Sequence, residues 1–438
     1  MIVNFIFSLL LIAAAILFTK NVRRIAQNIN MGKSIRIDDN KGQRWKNMLR
    51  VAIGQSKMTS RPISAIMHIF VFVGFIVVNI EMIEILIDGI FGTHRILAFL
   101  GSTIYPLLIS VFEIFAFLVI LACVVFLVRR NVIRLQRFWN REMKAWPRSD
   151  ANIILVTEIL LMTSILVMNA ADGVLQSRGA DHYAAMGSFL ISDLMQPWFA
   201  GLSNSSLVFL ERAAWWFHIV GVLIFLNYIP YSKHFHVFLS FPNVYFGKLG
   251  PLGKMDNMPS ITNEIKLMLN PELAAQQDAA PAEEEVGQFG AKDANDLNWK
   301  QLMDAYTCTE CGRCTSSCPA SITGKKLSPR KIVMDVRDRI EELGKQARKN
   351  GKAVTDDGQS LFDRITPEEL WACTTCNACV QECPVNIDPL AVILELRRYL
   401  VMEQASAPGE INAAFSNIEN NGAPWQFSNE DRLQWAGQ

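Results

Sequence analysis

Long apolar runs dominate roughly the first 250 residues, whereas the rest of the chain mixes apolar and polar positions as a soluble domain does. A helix that crosses about 30 Å of hydrocarbon needs roughly 20 mostly apolar residues. Five stretches meet this requirement, the first being the shortest: residues 2–19, 63–87, 103–128, 152–171 and 207–230. The pattern therefore predicts a five-helix transmembrane bundle.

The remaining third of the chain also predicts helices. Ser328-Pro329 and Asp388-Pro389 are typical helix starts, because serine and aspartate cap the first turn and proline is tolerated within it. Apolar residues follow at helical spacing: Ile332, Val336, Ile340 and Leu343, then Leu390, Ile393, Leu394, Leu400 and Val401. We therefore expect a mainly α protein with a membrane domain at 1–250, a flexible linker at 251–296 and a two-cluster helical domain at 297–438.

Positive charge is distributed unevenly among the loops. Residues 20–61 carry eleven Lys/Arg and residues 129–148 carry seven, whereas the loops 92–101 and 172–206 carry one each. By the positive-inside rule, the N-terminus lies outside and everything after Tyr231 lies in the cytoplasm. This predicts a multi-pass protein of the inner membrane. The net charge of +1 argues against a nucleic-acid partner.

Three histidines in or beside the spans are candidate haem ligands, since ionisable residues within a membrane must be paired or ligated. His68 lies in the second span, His218 in the fifth, and His236 just beyond it. If the fifth helix stays straight, the last two share one face about 27 Å apart, because 18 residues make five turns. Such histidines suit haem iron that takes its other ligand from a facing helix. Alternatively, they are interfacial residues with satisfied hydrogen bonds.

The second and fifth spans resemble the haem-bearing gamma subunit of respiratory nitrate reductase. The resemblance rests on Met67-His68-Ile69 with Gly74-Phe75, and on Pro230, Ser232 and His236 with His218 upstream. It implies haem b held by His68 and His236 on the cytoplasmic side, and His218 as a ligand of an outer haem beside the quinol site. The family's second histidine on the second span has no counterpart at Val78 or Asn79. One haem b is expected, and a second stays open.

Four other ionisable residues have open roles. His94, in a loop, is a candidate replacement for the missing ligand, and His234 is expected at the membrane interface. Glu113 and Glu158 lie inside the third and fourth spans. Three roles are open for them: proton transfer, quinone binding, or a polar contact with another helix.

Eight of the nine cysteines form two runs with identical spacing, each ending in Cys-Pro: Cys308, Cys311, Cys314 and Cys318, then Cys373, Cys376, Cys379 and Cys383. In two-cluster ferredoxins, three cysteines of a run bind one 4Fe–4S cluster and the fourth reaches the other. This predicts that Cys308, Cys311, Cys314 and Cys383 bind one cluster. Cys373, Cys376, Cys379 and Cys318 would bind the other. Zinc is the alternative, although structural zinc sites use two separated pairs.

The soluble part resembles iron–sulfur subunits related to heterodisulfide reductase. The motifs are Trp299-Lys-Gln-Leu, Cys308-Thr-Glu-Cys-Gly-Arg-Cys, Leu327-Ser-Pro, Leu370-Trp-Ala-Cys-Thr-Thr-Cys and Leu396-Arg-Arg-Tyr. Many relatives continue into a catalytic module with Cys-Cys-Gly motifs, which this sequence lacks. The resemblance therefore implies a separate catalytic subunit. Relatives with this fused layout are linked to quinone reduction by electron-transferring flavoprotein, which is one expected donor.

These features together predict an electron-transfer subunit that connects the quinone pool, haem b and two 4Fe–4S clusters with a separate cytoplasmic partner. No catalytic acid–base or nucleophile pattern stands out, and no G-x-G-x-x-G fingerprint occurs. Two alternatives remain. The bundle could be a passive anchor for a ferredoxin-type domain without haem, or the clusters could serve a redox sensor.

Overall fold

The computed structural model describes residues 1–270, 272, 288–351 and 357–437. In these ranges the chain is mainly α-helical and forms no strand, so the predicted fold class is confirmed. The α-helices are α1 (Ile2–Ile29), α2 (Lys41–Met48), α3 (Pro62–Phe91), α4 (Gly101–Leu127), α5 (Trp146–Ser177), α6 (Ser192–Phe199), α7 (Asn204–Tyr228), α8 (His236–Tyr245), α9 (Pro259–Leu269), α10 (Trp299–Thr307), α11 (Arg313–Ser316), α12 (Pro319–Ile322), α13 (Pro329–Asn350), α14 (Pro367–Trp371), α15 (Ala378–Glu382), α16 (Pro389–Met402) and α17 (Gly409–Asn421).

Five helical segments are long and apolar enough to cross a membrane: Ile2–Ile29, Pro62–Phe91, Ile96–Val132, Trp146–Ser177 and Asn204–Tyr231. Each of the five predicted stretches lies inside one of them. The helices are longer than the apolar runs. An apolar run shows only which residues can lie in the hydrocarbon of a bilayer, whereas helical hydrogen bonding can continue through the polar residues on either side.

The chain divides into two compact units. The first comprises Met1–Gln27, Asp38–Gly247 and Tyr306–Gly312, and the second comprises Asn28–Ile37, Lys248–Ala305 and Arg313–Gln438. Helix α9 lies within the stretch expected to be a linker. The tether expected at Ala274–Glu285 lies outside the described residues.

In the first unit, α5 packs against α4, α6 and α7, and α3 packs against α4. Gly74 permits the close approach of α3 and α4, since a Cβ there would lie 2.6 Å from a methyl carbon of Val119. Because α3 and α7 run in opposite directions, Phe91 and Asn204 lie at one end of the bundle, here called the His94 end. The other, where α3 begins and α7 stops, is the His236 end.

Helix α7 stops at Tyr228, and short 3-10 turns at Ile229–Tyr231 and Lys233–Phe235 precede α8. The interruption follows from Pro230, which has no backbone N–H to donate. The Ser232 hydroxyl then accepts a hydrogen bond from the His234 N–H at 3.1 Å. The expectation that His218 and His236 share one face of a straight helix was therefore wrong, because they belong to different helices.

In the second unit, both predicted capping residues begin helices. Ser328 accepts a hydrogen bond from the Lys331 N–H at 3.3 Å, and Asp388 accepts one from the Ala391 N–H at 2.9 Å. Most of the predicted apolar positions are buried: Ile332, Val336, Ile340, Leu343, Leu390, Ile393 and Leu400. Leu394 and Val401 are half-buried. Leu390 and Leu394 of α16 pack in one apolar cluster with Cys373 and Cys379 of the second cysteine run.

Candidate functional site

The His68 and His236 rings face each other at the His236 end, with centroids 6.5 Å apart and planes inclined by 46°. His236 Nδ1 donates to the Lys233 carbonyl at 3.0 Å, which leaves Nε2 as a metal-binding atom. Two imidazole rings that bind one metal ion through bonds of about 2 Å each would have their centroids roughly 6 Å apart. The arrangement therefore fits a haem iron held between the two side chains.

His234 lies beside this pair. Its ring centroid is 5.6 Å from that of His236 and 5.4 Å from that of Phe225, and the residue is only 9% exposed. Among the described residues, its Nε2 has no hydrogen-bond partner. Burial lowers the pKa of His234 to about 3 and lowers that of His236, so both rings are neutral, as ligation requires. The expected position of His234 at the membrane interface stays a prediction.

His218 lies in the bundle interior, 1% exposed. Its Nδ1 is 3.0 Å from the Leu161 carbonyl oxygen and 3.2 Å from Ser164 Oγ, both on α5. Its Nε2 is 3.2 Å from Sδ of Met82 on α3. The sequence did not predict this contact, because a methionine in a membrane span has the same local pattern as any apolar residue that packs there.

The two positions considered for the family's missing histidine do not supply a ligand. Val78 is a buried aliphatic side chain. Asn79 is exposed, and its amide donates to the Phe75 carbonyl of its own helix.

A cavity of about 390 Å³ opens at the His94 end, between α1, α3 and α7 and beneath the loop after α3. Its wall combines aromatic and ionisable side chains, among them Glu81, Glu84, His94, Arg95, Glu211 and Trp216. Glu81 is 2% exposed, and no hydrogen-bond partner lies near its Oε2 within the described ranges. A buried carboxylate oxygen of this kind can accept a hydrogen bond from a ligand.

Buried hydrogen bonds link the cavity wall to α4 and α5. The Arg95 guanidinium donates to Asp172, to Tyr105 Oη at 3.1 Å and to Asn169 Oδ1 at 2.9 Å. Asn169 in turn donates to Glu113 at 3.1 Å. Glu113 therefore makes the polar contact between helices that was one of its expected roles.

His94 belongs to the cavity wall. Its ring packs edge-on against Tyr183 with centroids 5.2 Å apart, and its Nε2 is 4.0 Å from the Asp172 carboxylate. Glu158 is half-buried on α5, away from the residues that line the cavity.

The two cysteine runs share one backbone shape. In each run the residue before the second cysteine is left-handed, with φ of 54° at Glu310 and 56° at Thr375. The residue after that cysteine is left-handed too, with φ of 72° at Gly312 and 60° at Asn377. Glycine and asparagine adopt this conformation most readily. The repeated spacing therefore corresponds to a repeated loop.

Four cysteines that the sequence assigns to one cluster line a single small cavity of the second unit: Cys318, Cys373, Cys376 and Cys379. Two cysteine sulfurs accept backbone N–H groups, Cys373 from Thr375 at 3.4 Å and Cys383 from Ile387 at 3.3 Å. The described residues contain no three His, Cys, Asp or Glu side chains grouped around a single-ion position. None of the nine cysteines, all within the described ranges, forms a disulfide.

The cysteines of the other predicted cluster are divided between the two units. Cys308 and Cys311 lie on the segment Tyr306–Gly312 of the first unit, whereas Cys314 and Cys383 belong to the second. Glu310, between the first two, accepts a hydrogen bond from Lys233 Nζ, and both side chains are buried. Lys233 immediately precedes the His234–His236 segment.

Comparisons with known proteins agree with the cysteine pattern. A family model described as a 4Fe–4S dicluster domain matches residues 307–387. The chain is 30% identical to the probable iron–sulfur-binding oxidoreductase FadF of Bacillus subtilis, over 99% of this chain and 61% of that protein. It is 26% identical to EtfAB:quinone oxidoreductase of Syntrophomonas wolfei, over 91% of this chain and 54% of that protein.

A shorter match covers the soluble part. The chain is 38% identical to one subunit of the ferredoxin/F420H2-dependent CoB-CoM heterodisulfide reductase of Methanosarcina acetivorans, over 24% of this chain and 52% of that protein. The chain thus spans only about half to three fifths of the length of these relatives. No solved structure matches it. The chain is a helical protein with five candidate membrane spans and a 4Fe–4S dicluster domain, related to iron–sulfur oxidoreductases.

Proposed function

We propose that the protein is a membrane-bound electron-transfer subunit that connects the quinone pool with a separate soluble redox partner. The observation that carries the proposal is the placement of Cys308 and Cys311 in the same compact unit as the facing rings of His68 and His236. The two proposed haem ligands and part of a cysteine run thereby belong to one folded unit.

In this proposal, His68 and His236 would hold a haem b, which would supply a one-electron carrier within the bundle. The two cysteine runs hold two 4Fe–4S clusters with the fourth cysteine of each run exchanged. The backbone N–H groups of Thr375 and Ile387 donate to Cys373 and Cys383, one ligand of each proposed cluster, and would stabilise the reduced forms. No acid–base or nucleophilic catalysis is required of the chain itself.

The cavity at the His94 end is the proposed quinone site. Its volume is within the range of small-molecule pockets, and Trp216 offers an apolar surface for a ring. Glu81 can accept a hydrogen bond from a quinol hydroxyl, while Arg95 is held in place by Asp172 and Asn169. The site would thus exchange protons with the quinone as electrons enter or leave.

The names of two relatives guide the choice of partner. One relative is named EtfAB:quinone oxidoreductase, and the other is named as part of a heterodisulfide reductase. We therefore propose either an electron-transferring flavoprotein or a Cys-Cys-Gly subunit as the soluble partner. The charge distribution of the loops favours a cytoplasmic location for that partner and an external N-terminus for this chain.

The test is purification of the full chain from membranes, followed by optical and EPR spectroscopy. We expect a reduced-minus-oxidised spectrum of b type and roughly eight iron atoms per chain outside haem. In vesicles, a soluble quinol analogue should reduce the haem and then the clusters. A preparation with full cluster content but no haem would contradict the proposal and favour a passive anchor. Haem and clusters that quinol cannot reduce would instead favour a sensor.

A further inference from the structure

Two neighbouring arginines of α16, both in the Leu396-Arg-Arg-Tyr motif, differ in what balances their charge. Arg398 Nη1 forms an ion pair with the Glu395 carboxylate at 2.5 Å. Within the described ranges, Arg397 forms no ion pair. Its guanidinium carbon lies 4.8 Å from the centroid of the Trp371 ring, and its nitrogens donate only to backbone carbonyl groups.

The Arg397 guanidinium is held against the start of the second cysteine run. Its Nη2 donates to the Leu370 carbonyl at 2.6 Å and to the Cys373 carbonyl at 2.5 Å, while Nε donates to the Leu370 carbonyl at 3.1 Å. Leu370 lies in the last turn of α14, where carbonyl groups have no partner within the helix. A cation is thereby fixed beside the backbone of a cysteine that the sequence assigns to a cluster.

Capping these carbonyl groups does not require a charge. A neutral amide side chain can donate to the same oxygens. A half-buried cation is costly unless an anion lies nearby, and the described side chains offer Arg397 no carboxylate. A cluster held by four thiolates is anionic and gains a further negative charge on reduction. The cluster is therefore a suitable counter-ion for the guanidinium.

We propose that Arg397 tunes the electron affinity of the cluster assigned to Cys318, Cys373, Cys376 and Cys379, because its positive charge raises the midpoint potential of that cluster. The inference rests on the proposed function, since it concerns one of the two proposed clusters. Net charge is among the properties that set the potential of an iron–sulfur cluster. The cation favours the reduced form, which carries more negative charge, and so draws an electron to this cluster.

The same cluster is proposed beside solvent. All nine cysteines lie within the described ranges, and Cys376 alone among them is exposed. A soluble redox partner can therefore approach this cluster closely. Arg397 would thus favour residence of the electron at the place where exchange with such a partner occurs.

The experiment is a redox titration, monitored by EPR, of the purified full chain and of arginine variants. Arg397→Gln removes the charge but keeps a group that can donate to carbonyl oxygen, and Arg397→Lys keeps the charge. Arg398→Gln is the matched control, because it removes the next arginine of the same helix, whose charge Glu395 already balances. The EPR signal that is absent from Cys318→Ser identifies the cluster concerned, and iron outside haem is counted in each preparation.

In Arg397→Gln we expect roughly eight iron atoms outside haem. The equilibrium constant for reduction of the identified cluster should fall roughly tenfold, which is about 59 mV for one electron. Arg397→Lys and Arg398→Gln should keep the original potential. An unchanged potential in Arg397→Gln, an equal shift in Arg398→Gln, or a shift confined to the other cluster would overturn the inference.

If Arg397→Gln loses the cluster, Arg397→Lys decides the matter. A lysine variant that keeps the original potential supports the inference, whereas one with a lowered potential overturns it, since the charge is still present. Failure of the proposed function has a separate signature. In that case the unaltered chain contains no haem, or quinol reduces neither its haem nor its clusters.

Discussion

Lys233 Nζ donates to the Glu310 carboxylate, and the two side chains are only 9% and 2% exposed. Asp150 Oδ2 lies 3.8 Å from the same ammonium group. This buried ion pair joins the segment that leads into His236 to the loop that carries Cys308 and Cys311. The stability of the first unit should therefore depend on it.

Replacing Lys233 with methionine should destabilise the protein by about 3–5 kcal/mol, because Glu310 and Asp150 would then be buried without their cation. The measurement is the thermal unfolding midpoint of the full chain in detergent. Lys326→Met is the control: the Lys326–Glu368 pair is 56% and 63% exposed, so its loss should cost at most about 1 kcal/mol. Adding Glu310→Gln to Lys233→Met should recover part of the loss. Equal effects of the two lysine variants would refute the argument.

Replacing His236 with alanine should abolish the haem that His68 shares with it, because one axial ligand and the ring contact at 6.5 Å disappear together. Haem per chain is measured after purification. His182→Ala, in an exposed loop, should leave the haem content unchanged. Retention of all haem in His236→Ala would show that the ligand assignment is incorrect.

Replacing Cys318 with serine should remove the cluster assigned to Cys373, Cys376 and Cys379, since the four residues line one cavity. Iron outside haem should fall from roughly eight to four atoms per chain, and one EPR signal should vanish. Cys123→Ser, a buried cysteine of α4, should retain both clusters. Loss of the other cluster instead would mean that the fourth cysteines are not exchanged between the runs.

Replacing Glu81 with leucine should weaken quinol binding about fivefold, because the hydrogen bond that is lost contributes about 1 kcal/mol. The measurement is the KM for quinol-dependent haem reduction in vesicles. Glu158→Leu is the matched control, since that glutamate also lies in a span but does not line the cavity. Equal KM values in the two variants would exclude Glu81 from the site.

Sequence alone predicted those parts of the fold that local chemistry determines. Bilayer thickness determines the five spans, the Ser328 and Asp388 caps begin α13 and α16, and the cysteine spacing dictates two loops of one shape. The contact between His218 and Met82 was not predictable, because a methionine in a span has no distinctive local pattern.

Other features depend on residues far apart in the chain. The cavity is lined by residues of α1, α3, α7 and the loop after α3. No local sequence pattern predicts which glutamate lies in its wall. The burial of His234 follows from packing against Phe225 and His236. Pro230 signalled a disturbance of the fifth span, but not that the α-helix would stop at Tyr228 and begin again at His236.

That interruption has a mechanical consequence. A helix adapts to a thinner or thicker bilayer by changing its tilt. A side chain on a continuous helix would move with that helix, whereas the short 3-10 turns between Tyr228 and His236 separate His236 from α7. Because His236 belongs to a separate helix, its position is not tied to the tilt of α7.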